Sequence, residues 1–173
     1  SLIKLLDEGS LIPEELRPRL LVQGAAIVLD SKSGHILAMI GGRQDSSYTD
    51  HFNRSTQALR QPGSVFKPFI YLTALEEGFG PTKELLNQPL IIQYDDTTTW
   101  NPQNHDGSTG KKTTLREGMK RSLNLISVRV VQELVSPSSI VKNAIKFGIT
   151  TPVKAVDAIA LGVSEVLLID ITS

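Results

Sequence analysis

The chain has 173 residues and a formal net charge of +0, with 40% hydrophobic and 21% charged residues, as is typical of a soluble domain with a real core. It contains no cysteine, which excludes disulfides, thiol catalysis and cysteine-based zinc sites. It shows neither a basic stripe that would indicate nucleic acid nor an apolar run of the roughly 18 residues that a membrane span needs.

The first 22 residues read as two short helical pieces, Leu2–Glu8 and Glu14–Val22, separated by Gly9 and Pro13. We interpret residues 1–22 as linker helices that precede a domain.

A β-hairpin is predicted next. Two apolar runs, Ala25–Leu29 and Ile36–Ile40, flank the turn-forming segment Asp30–Gly34. Because both runs are apolar along their whole length, we expect the strands to be buried on both faces, by helices. Residues 43–55 then form a polar loop.

Residues 60–69, Arg-Gln-Pro-Gly-Ser-Val-Phe-Lys-Pro-Phe, predict a helix that begins near Ser64. Gly78 is a suitable C-terminal cap, and Pro81 prevents continuation. The helix is apolar nearly all round, so we expect it to be buried and central. A lysine in such a helix needs a reason.

The spacing of Ser64 and Lys67 supplies that reason. Side chains three apart on a helix are neighbours, and helical side chains lean toward the N-terminus, so the amine would point at the hydroxyl. Burial and the positive end of the helix both favour the neutral amine. Lys67 could then act as the base that activates Ser64.

The Ser-x-x-Lys spacing alone is weak evidence, because it also occurs at Ser1/Lys4 and Ser139/Lys142. Ser64 is distinguished by the Pro-Gly before it, the proline after Lys67 and a second element downstream.

A long polar loop, Asp95–Thr113, follows the short apolar run Leu90–Tyr94, a possible strand. Its Trp100 either lies at the rim of a cleft or pins the loop to the core. The pairs Asp95-Asp96 and His105-Asp106 suggest a metal site, but a solvated loop explains them as well, and we predict no metal and no cofactor.

The second element is Ser122-Leu123-Asn124. It follows a short helix that begins at the capping-box pattern Thr114-Leu-Arg-Glu117, and an amphipathic helix follows it. Ser122 and Asn124 are thus predicted at a helix–helix junction, where both can project into a cleft. Alternatively, Ser122 merely caps the second helix.

The rest of the chain predicts helices near Ser138–Phe147 and Val153–Ala160, followed by a final apolar run, Val166–Ile171. Composition and periodicity alone therefore indicate a helix-rich domain with one hairpin.

The chain resembles the penicillin-binding transpeptidases, in particular the bifunctional class A type, from about residue 24 to its end. The resemblance rests on residues 60–69, on Ser122-Leu-Asn124 and on four further segments: Tyr71-x-x-Ala-Leu-Glu76, Trp100-Asn-Pro-Gln-Asn104, Thr114-Leu-Arg116 and Ala160-Leu-Gly-Val-Ser-Glu165. It implies an α+β fold of the β-lactamase/transpeptidase type, a helical cluster with part of an antiparallel sheet.

The resemblance implies that Ser64 is the acylated nucleophile, Lys67 its base and Ser122 a proton relay. Asn124 would contact the substrate and Lys67, and Trp100 would line the cleft. The implied reaction is D-Ala-D-Ala transpeptidation on peptidoglycan stem peptides, and β-lactams would acylate the same serine. The implied location is the outer face of the bacterial cytoplasmic membrane, with the anchor upstream of this chain.

The family's third motif, Lys-Thr/Ser-Gly, has no match after residue 124. Lys32-Ser33-Gly34 spells it but precedes the other motifs and reads as the hairpin turn. We therefore expect residues 23–173 to be the N-terminal portion of a transpeptidase domain, without the later strands. Two alternatives stay open: a β-lactamase or β-lactam sensor with the same serine chemistry, and a catalytically inactive structural fragment.

Overall fold

The computed structural model describes residues 22–43, 51–95 and 97–173. The chain divides into two compact units, residues 1–58 and 59–173, which are described separately. The predicted linker helices lie outside the described residues, which begin at Val22.

The first unit contains the predicted hairpin. Strands β1 (Ala26–Leu29) and β2 (Ile36–Ile40) pair antiparallel, with Ala26 opposite Ile40. The carboxylate of Asp30 accepts hydrogen bonds from the backbone N–H groups of Lys32 and Ser33 at 3.1 and 2.7 Å. Lys32-Ser33-Gly34 is therefore part of the turn, as predicted.

The expected burial of this hairpin on both faces is wrong. Val28, Leu37 and Ile40 are 52%, 65% and 59% exposed. Within the described part of this unit, the strands pair only with each other, so no neighbouring strand or helix covers their apolar side chains.

The second unit opens with the predicted helix. One 3-10 turn, Gly63–Phe66, leads directly into α1, Lys67–Glu76. Gly78, at φ +92°, donates its N–H to the carbonyl of Leu75 at 3.1 Å and ends the helix as expected.

This helix is buried on one side only, which corrects the expectation that it is buried all round. Phe66 and Ile70 are enclosed, whereas Val65 and Leu75 are 60% and 47% exposed. An apolar sequence shows where burial is possible; the packing partners decide which face receives it.

Two small antiparallel sheets frame the long polar segment that follows. Strand β3 (Glu84–Leu86) pairs with β6 (Lys112–Thr114), and β4 (Ile92–Gln93) pairs with β5 (Thr99–Trp100). The segment predicted as an unbroken loop over Asp95–Thr113 therefore contains β5 and the start of β6. Strands of two or three residues are too short to show an alternating pattern.

The remaining helices follow the predicted order. Thr114 caps α2 by accepting the N–H of Glu117 at 3.2 Å, so the predicted start of this helix at Thr114 is confirmed. The helical elements after β6 are α2 (Leu115–Lys120), α3 (Asn124–Arg129), a π-helical turn (Val130–Leu134), α4 (Pro137–Lys146), a 3-10 helix (Asp157–Leu161) and α5 (Leu168–Thr172).

The helix predicted at Val153–Ala160 is shorter than expected. Val156 is extended, and only Asp157–Leu161 turns, as a 3-10 helix that ends at the left-handed Gly162. None of the helices in the described ranges has the length and apolar character that crossing a bilayer requires.

The core of the second unit is built from α1, α3 and the segments around them. Fully enclosed apolar side chains include Phe66, Ile70, Ala74, Leu115, Leu123, Ile126, Val128, Val130, Ile140 and Ile159. Helix α3 thus lies in the middle of the core, and its first residue directly follows the Ser122–Leu123 junction.

Candidate active site

The centre of the candidate site is Lys67, a lysine that is only 1% exposed. Its backbone N–H donates to the carbonyl of Ser64, which closes one 3-10 turn. In such a turn the side chains of residues i and i+3 lie one above the other, so Ser64 and Lys67 share a face. Ser64 itself is exposed.

The amine of Lys67 reaches the second motif. Nζ donates hydrogen bonds to three oxygen atoms: the carbonyl of Ser122 at 2.6 Å, Oδ1 of Asn124 at 2.9 Å and Oγ of Ser122 at 3.0 Å. Residues more than fifty positions apart in sequence therefore meet at one atom.

Burial lowers the pKa of Lys67 from its usual 10.5 to about 8. Roughly a tenth of the amine is then neutral at pH 7, against less than about one part in a thousand for an ordinary lysine. The three acceptors are uncharged oxygens, so no carboxylate among them restores the pKa of the ammonium.

The contact with Ser122 depends on an unusual backbone. Ser122 has φ +53°, and it is the one non-glycine residue with positive φ in the described ranges. This left-handed turn separates α2 from α3, and both oxygen atoms of Ser122 contact Lys67. The alternative in which Ser122 caps α3 is wrong, because the N-cap residue is Leu123 and no side chain caps it.

Asn124 is oriented by the loop before α2. Its Nδ2 donates to the carbonyl of Gln103 at 2.9 Å, which leaves Oδ1 to accept the bond from Lys67. Reversal of the amide would place an N–H against the amine and a second oxygen against a carbonyl.

The buried Asn104 holds that loop in place. Its Oδ1 accepts the N–H of Leu125 at 3.0 Å, and its Nδ2 donates to Asn87 Oδ1 and to the carbonyl of Ser108, both at 2.7 Å. No local sequence pattern predicts a separate role for Asn104. Its place in the segment that begins at Trp100 was the signal available, but the contact with α3 depends on tertiary structure.

Trp100 lies in β5 opposite Ile92 and is partly buried against the core. This position agrees with the interpretation that it pins the loop. Its role at the rim of a cleft stays a prediction.

The loop carboxylates have local partners. The N–H of Thr97 is the main cause that lowers the pKa of Asp95 to about 2, and the hydroxyl of Ser108 does the same for Asp106. Asp106 also contacts Arg121 at 2.6 Å. These carboxylates shape turns, and Asp96 lies outside the described residues.

The family assignment follows from comparison with known proteins. The family model described as the penicillin-binding protein transpeptidase domain matches residues 24–164. The chain belongs to this family.

Similar proteins agree with this. Penicillin-binding protein 1A of Rickettsia typhi is 40% identical to this transpeptidase-family chain over 153 residues, which are 88% of the chain and 19% of the relative. The chain thus spans about a fifth of the length of that curated relative. The class A resemblance inferred from the motifs is confirmed, and the β-lactamase and sensor alternatives are not favoured.

Solved structures support the fold. Penicillin-binding protein 1A from Haemophilus influenzae has a TM-score of 0.78 at 32% identity and covers 86% of this chain and 22% of its own. Penicillin-binding protein PonA1 from Mycobacterium tuberculosis has a TM-score of 0.70 at 26% identity and covers 90% of this chain and 43% of its own. The predicted α+β transpeptidase fold is confirmed.

Proposed function

We propose that residues 23–173 form the N-terminal portion of a serine D,D-transpeptidase domain that cross-links peptidoglycan, with residues 1–22 as a preceding linker. The observation that carries this proposal is the triple contact of the buried Lys67 amine with Ser122 and Asn124. It brings the two sequence motifs together, which supports a shared role in proton transfer.

The acceptors around Lys67 suit a neutral amine. Its two N–H groups can satisfy the carbonyl of Ser122 and Oδ1 of Asn124, neither of which can donate. The lone pair is then left for a hydroxyl, either that of Ser122 or that of Ser64. A pKa of about 8 keeps a usable fraction of this neutral form near physiological pH.

In the proposed reaction, Ser64 attacks the carbonyl of the penultimate D-alanine of a stem peptide while Lys67 takes the hydroxyl proton. The C–N bond then breaks, and the proton passes through Ser122, whose Oγ lies 3.0 Å from Nζ, to the departing amine of D-alanine. An amine of a second strand attacks the Ser64 ester, and the same groups return the proton to Ser64.

Two further groups complete the proposal. The N–H of Ser64 makes no hydrogen bond within the described residues, so it is available to stabilise the oxyanion. Asn124 and Trp100 are proposed to contact the substrate. A β-lactam offers a strained amide to the same serine, and its ring-opened acyl group would stay on Ser64.

The proposed setting is the outer face of the bacterial cytoplasmic membrane, where stem peptides are cross-linked. Membrane attachment is assigned to parts of the parent protein outside this chain. The support is the family and the length of its members. The matched part of this chain makes up 14% to 22% of the relatives, which are therefore between four and five times as long as the chain.

The test is covalent labelling with a fluorescent penicillin in the full-length protein that contains this chain. We expect the label on Ser64, none on the Ser64→Ala variant, and normal labelling of Ser139→Ala, whose serine begins the other Ser-x-x-Lys segment within the described residues. Label that persists in Ser64→Ala would show that the nucleophile is another residue.

The same label on the isolated 173-residue chain gauges what the later strands contribute. If they supply an oxyanion donor, the isolated chain should react about 10²–10³-fold more slowly. Acylation at the full-length rate would contradict this expectation.

A further inference from the structure

Two glycines in left-handed conformations meet immediately before Ser64. Gly63 has φ +56° and Gly162 has φ +66°. The N–H of Gly63 donates to the carbonyl of Gly162 at 3.2 Å. Gly162 belongs to the segment Ala160–Glu165, to which the proposed reaction gives no role.

The approach at Gly162 leaves no room for a side chain. A Cβ there would overlap the carbonyl oxygen of Gly63 and lie 2.9 Å from its carbonyl carbon and 3.0 Å from its nitrogen. All three atoms are backbone, so no side-chain rotation relieves the overlap. Other left-handed glycines, such as Gly78, face open space at the corresponding position.

A second tie joins the same two segments. Arg60 and Val166 form an antiparallel bridge, with N–H···O distances of 3.1 and 2.9 Å in the two directions. The segment 162–166 therefore lies against residues 60–63 and contacts them at both ends.

We infer that Gly162 is a positioning residue for the nucleophile, an inference that rests on the proposed function. Lys67 is fixed from the other side by Ser122 and Asn124. Ser64 lies in the 3-10 turn between that anchor and Gly63, so its place relative to the amine depends on both ends being held. Gly162 fixes the N-terminal end of this turn, and Lys67 fixes its C-terminal end.

The expected effect is large because catalysis is sensitive to position. Any side chain at residue 162 must displace the Gly63 backbone by a shift on the order of 1 Å, and misplacement of that size can cost about 10²-fold in rate. The shift changes the position of Ser64, and we expect it to leave the surface that binds the penicillin before acylation unchanged. The acylation rate constant should therefore fall while the dissociation constant of the initial penicillin complex stays within about twofold.

The variants are Gly162→Ala and Gly162→Asn, with Gly78→Ala as the matched control, all in the full-length protein. Asparagine tolerates a left-handed backbone better than alanine but carries the same Cβ. We expect both Gly162 variants to acylate about 10²-fold more slowly and Gly78→Ala, which adds strain without a clash, to acylate at the original rate.

Stopped-flow acylation by a fluorescent penicillin gives both constants. Normal acylation in the Gly162 variants, or recovery of the rate by asparagine but not alanine, would overturn the inference, since recovery would attribute the loss to backbone strain. Failure of the unmodified protein to acylate at Ser64 would overturn the proposed function, and this inference with it.

Hydrogen exchange on the unmodified protein provides a test that does not depend on how the variants fold. We expect the amide of Gly63 to be protected to a degree similar to the amides of Arg60 and Val166, because the same contact encloses all three. Exchange of Gly63 at the rate of a free peptide, with Arg60 protected, would overturn the inference.

Discussion

Two Ser-x-x-Lys segments of this chain, Ser64–Lys67 and Ser139–Lys142, have the same spacing and both lie near the start of a helix. In the second, Ser136 caps α4 by accepting the N–H of Ser139 at 3.1 Å, and Lys142 is exposed. In the first, the lysine is buried and its amine is bonded to three oxygens. The tetrapeptide therefore sets only the sequence spacing of the hydroxyl and the amine.

What distinguishes the environment of the first lysine comes from elsewhere in the chain. The oxygens around Nζ belong to Ser122 and Asn124, 55 and 57 residues away. Burial lowers the pKa, and these acceptors direct the amine. Lys142 shares the spacing with Lys67 but not this burial, so the two lysines allow spacing and environment to be tested separately.

The largest expected contrast is between Lys67→Met and Lys142→Met. Loss of a general base typically costs about 10²–10⁴-fold in rate, so penicillin acylation should fall by that factor in the first variant and stay unchanged in the second. Rate constants for labelling measure both. Equal effects of the two substitutions would mean that the spacing, and not the buried environment, carries the chemistry.

A smaller contrast separates the hydroxyl of Ser122 from its backbone. Ser122→Ala and Ser122→Gly both remove the proposed relay, so each should lower acylation by about 10²-fold. Glycine also adopts the positive φ of residue 122 without the cost of roughly 1 kcal/mol that a Cβ brings. The free energy of unfolding should therefore be higher for Ser122→Gly than for Ser122→Ala.

Chemical denaturation and acylation rates on the same Ser122 samples give both quantities. An alanine variant that acylates normally would remove Ser122 from the mechanism.

The pH dependence tests the protonation state of Lys67. The pKa of about 8 lies below the usual 10.5, so the neutral fraction, and with it the acylation rate, should rise about tenfold per pH unit up to pH 8 and then level off. Single-turnover rates from pH 6 to 9 show this. Lys67→Arg stays charged throughout and should lack the rising limb.

The same shift predicts a change in stability with pH. Between about pH 8 and 10.5 the unfolded chain holds a proton on Lys67 that the folded chain has released, so the free energy of unfolding should rise with pH across that window. Below pH 8 the amine is protonated in both the folded and the unfolded state, so the folded state bears the full free-energy cost of burying the charge. Subtracting the pH dependence of the free energy of unfolding of Lys67→Met, measured by chemical denaturation, isolates the contribution of Lys67.

The smallest expected effect on rate comes from Asn104. Asn104→Ala leaves the buried N–H of Leu125 without its acceptor, which should lower the free energy of unfolding by about 1–3 kcal/mol. Acylation should fall only severalfold, since Asn124 loses support rather than a contact. Thermal unfolding and labelling measure the two effects, and Asn101→Ala, an exposed amide in the same loop, is the control.

Local signals in the sequence located much of the framework. The hairpin turn at Asp30, the cap at Thr114 and the helix end at Gly78 each depend on a few adjacent residues, and each prediction was confirmed. The site was also bounded by local patterns, since Ser64, Lys67 and the Ser122 junction are all visible in the sequence.

Other features depend on tertiary contacts that leave little local trace. The exposed strands of the hairpin, the short strands in the long loop and the orientation of Asn124 by Gln103 follow from which segments meet. The left-handed backbone at Ser122 also depends on tertiary structure. Serine has no strong preference for that conformation, so the surrounding junction must impose it.

The neutrality of the oxygens around Lys67 has a consequence for the protonation state of its amine. Because Lys67 bonds to neutral oxygens and not to a carboxylate, there is no ion pair for salt to screen. Added salt should therefore leave the pKa of the amine almost unchanged. The pKa depends instead on access of water to the amine. A ligand that covers the exposed Ser64 should exclude water and lower the pKa of Lys67 further. We therefore expect the neutral fraction of Lys67 to be higher in the ligand complex than in the free protein.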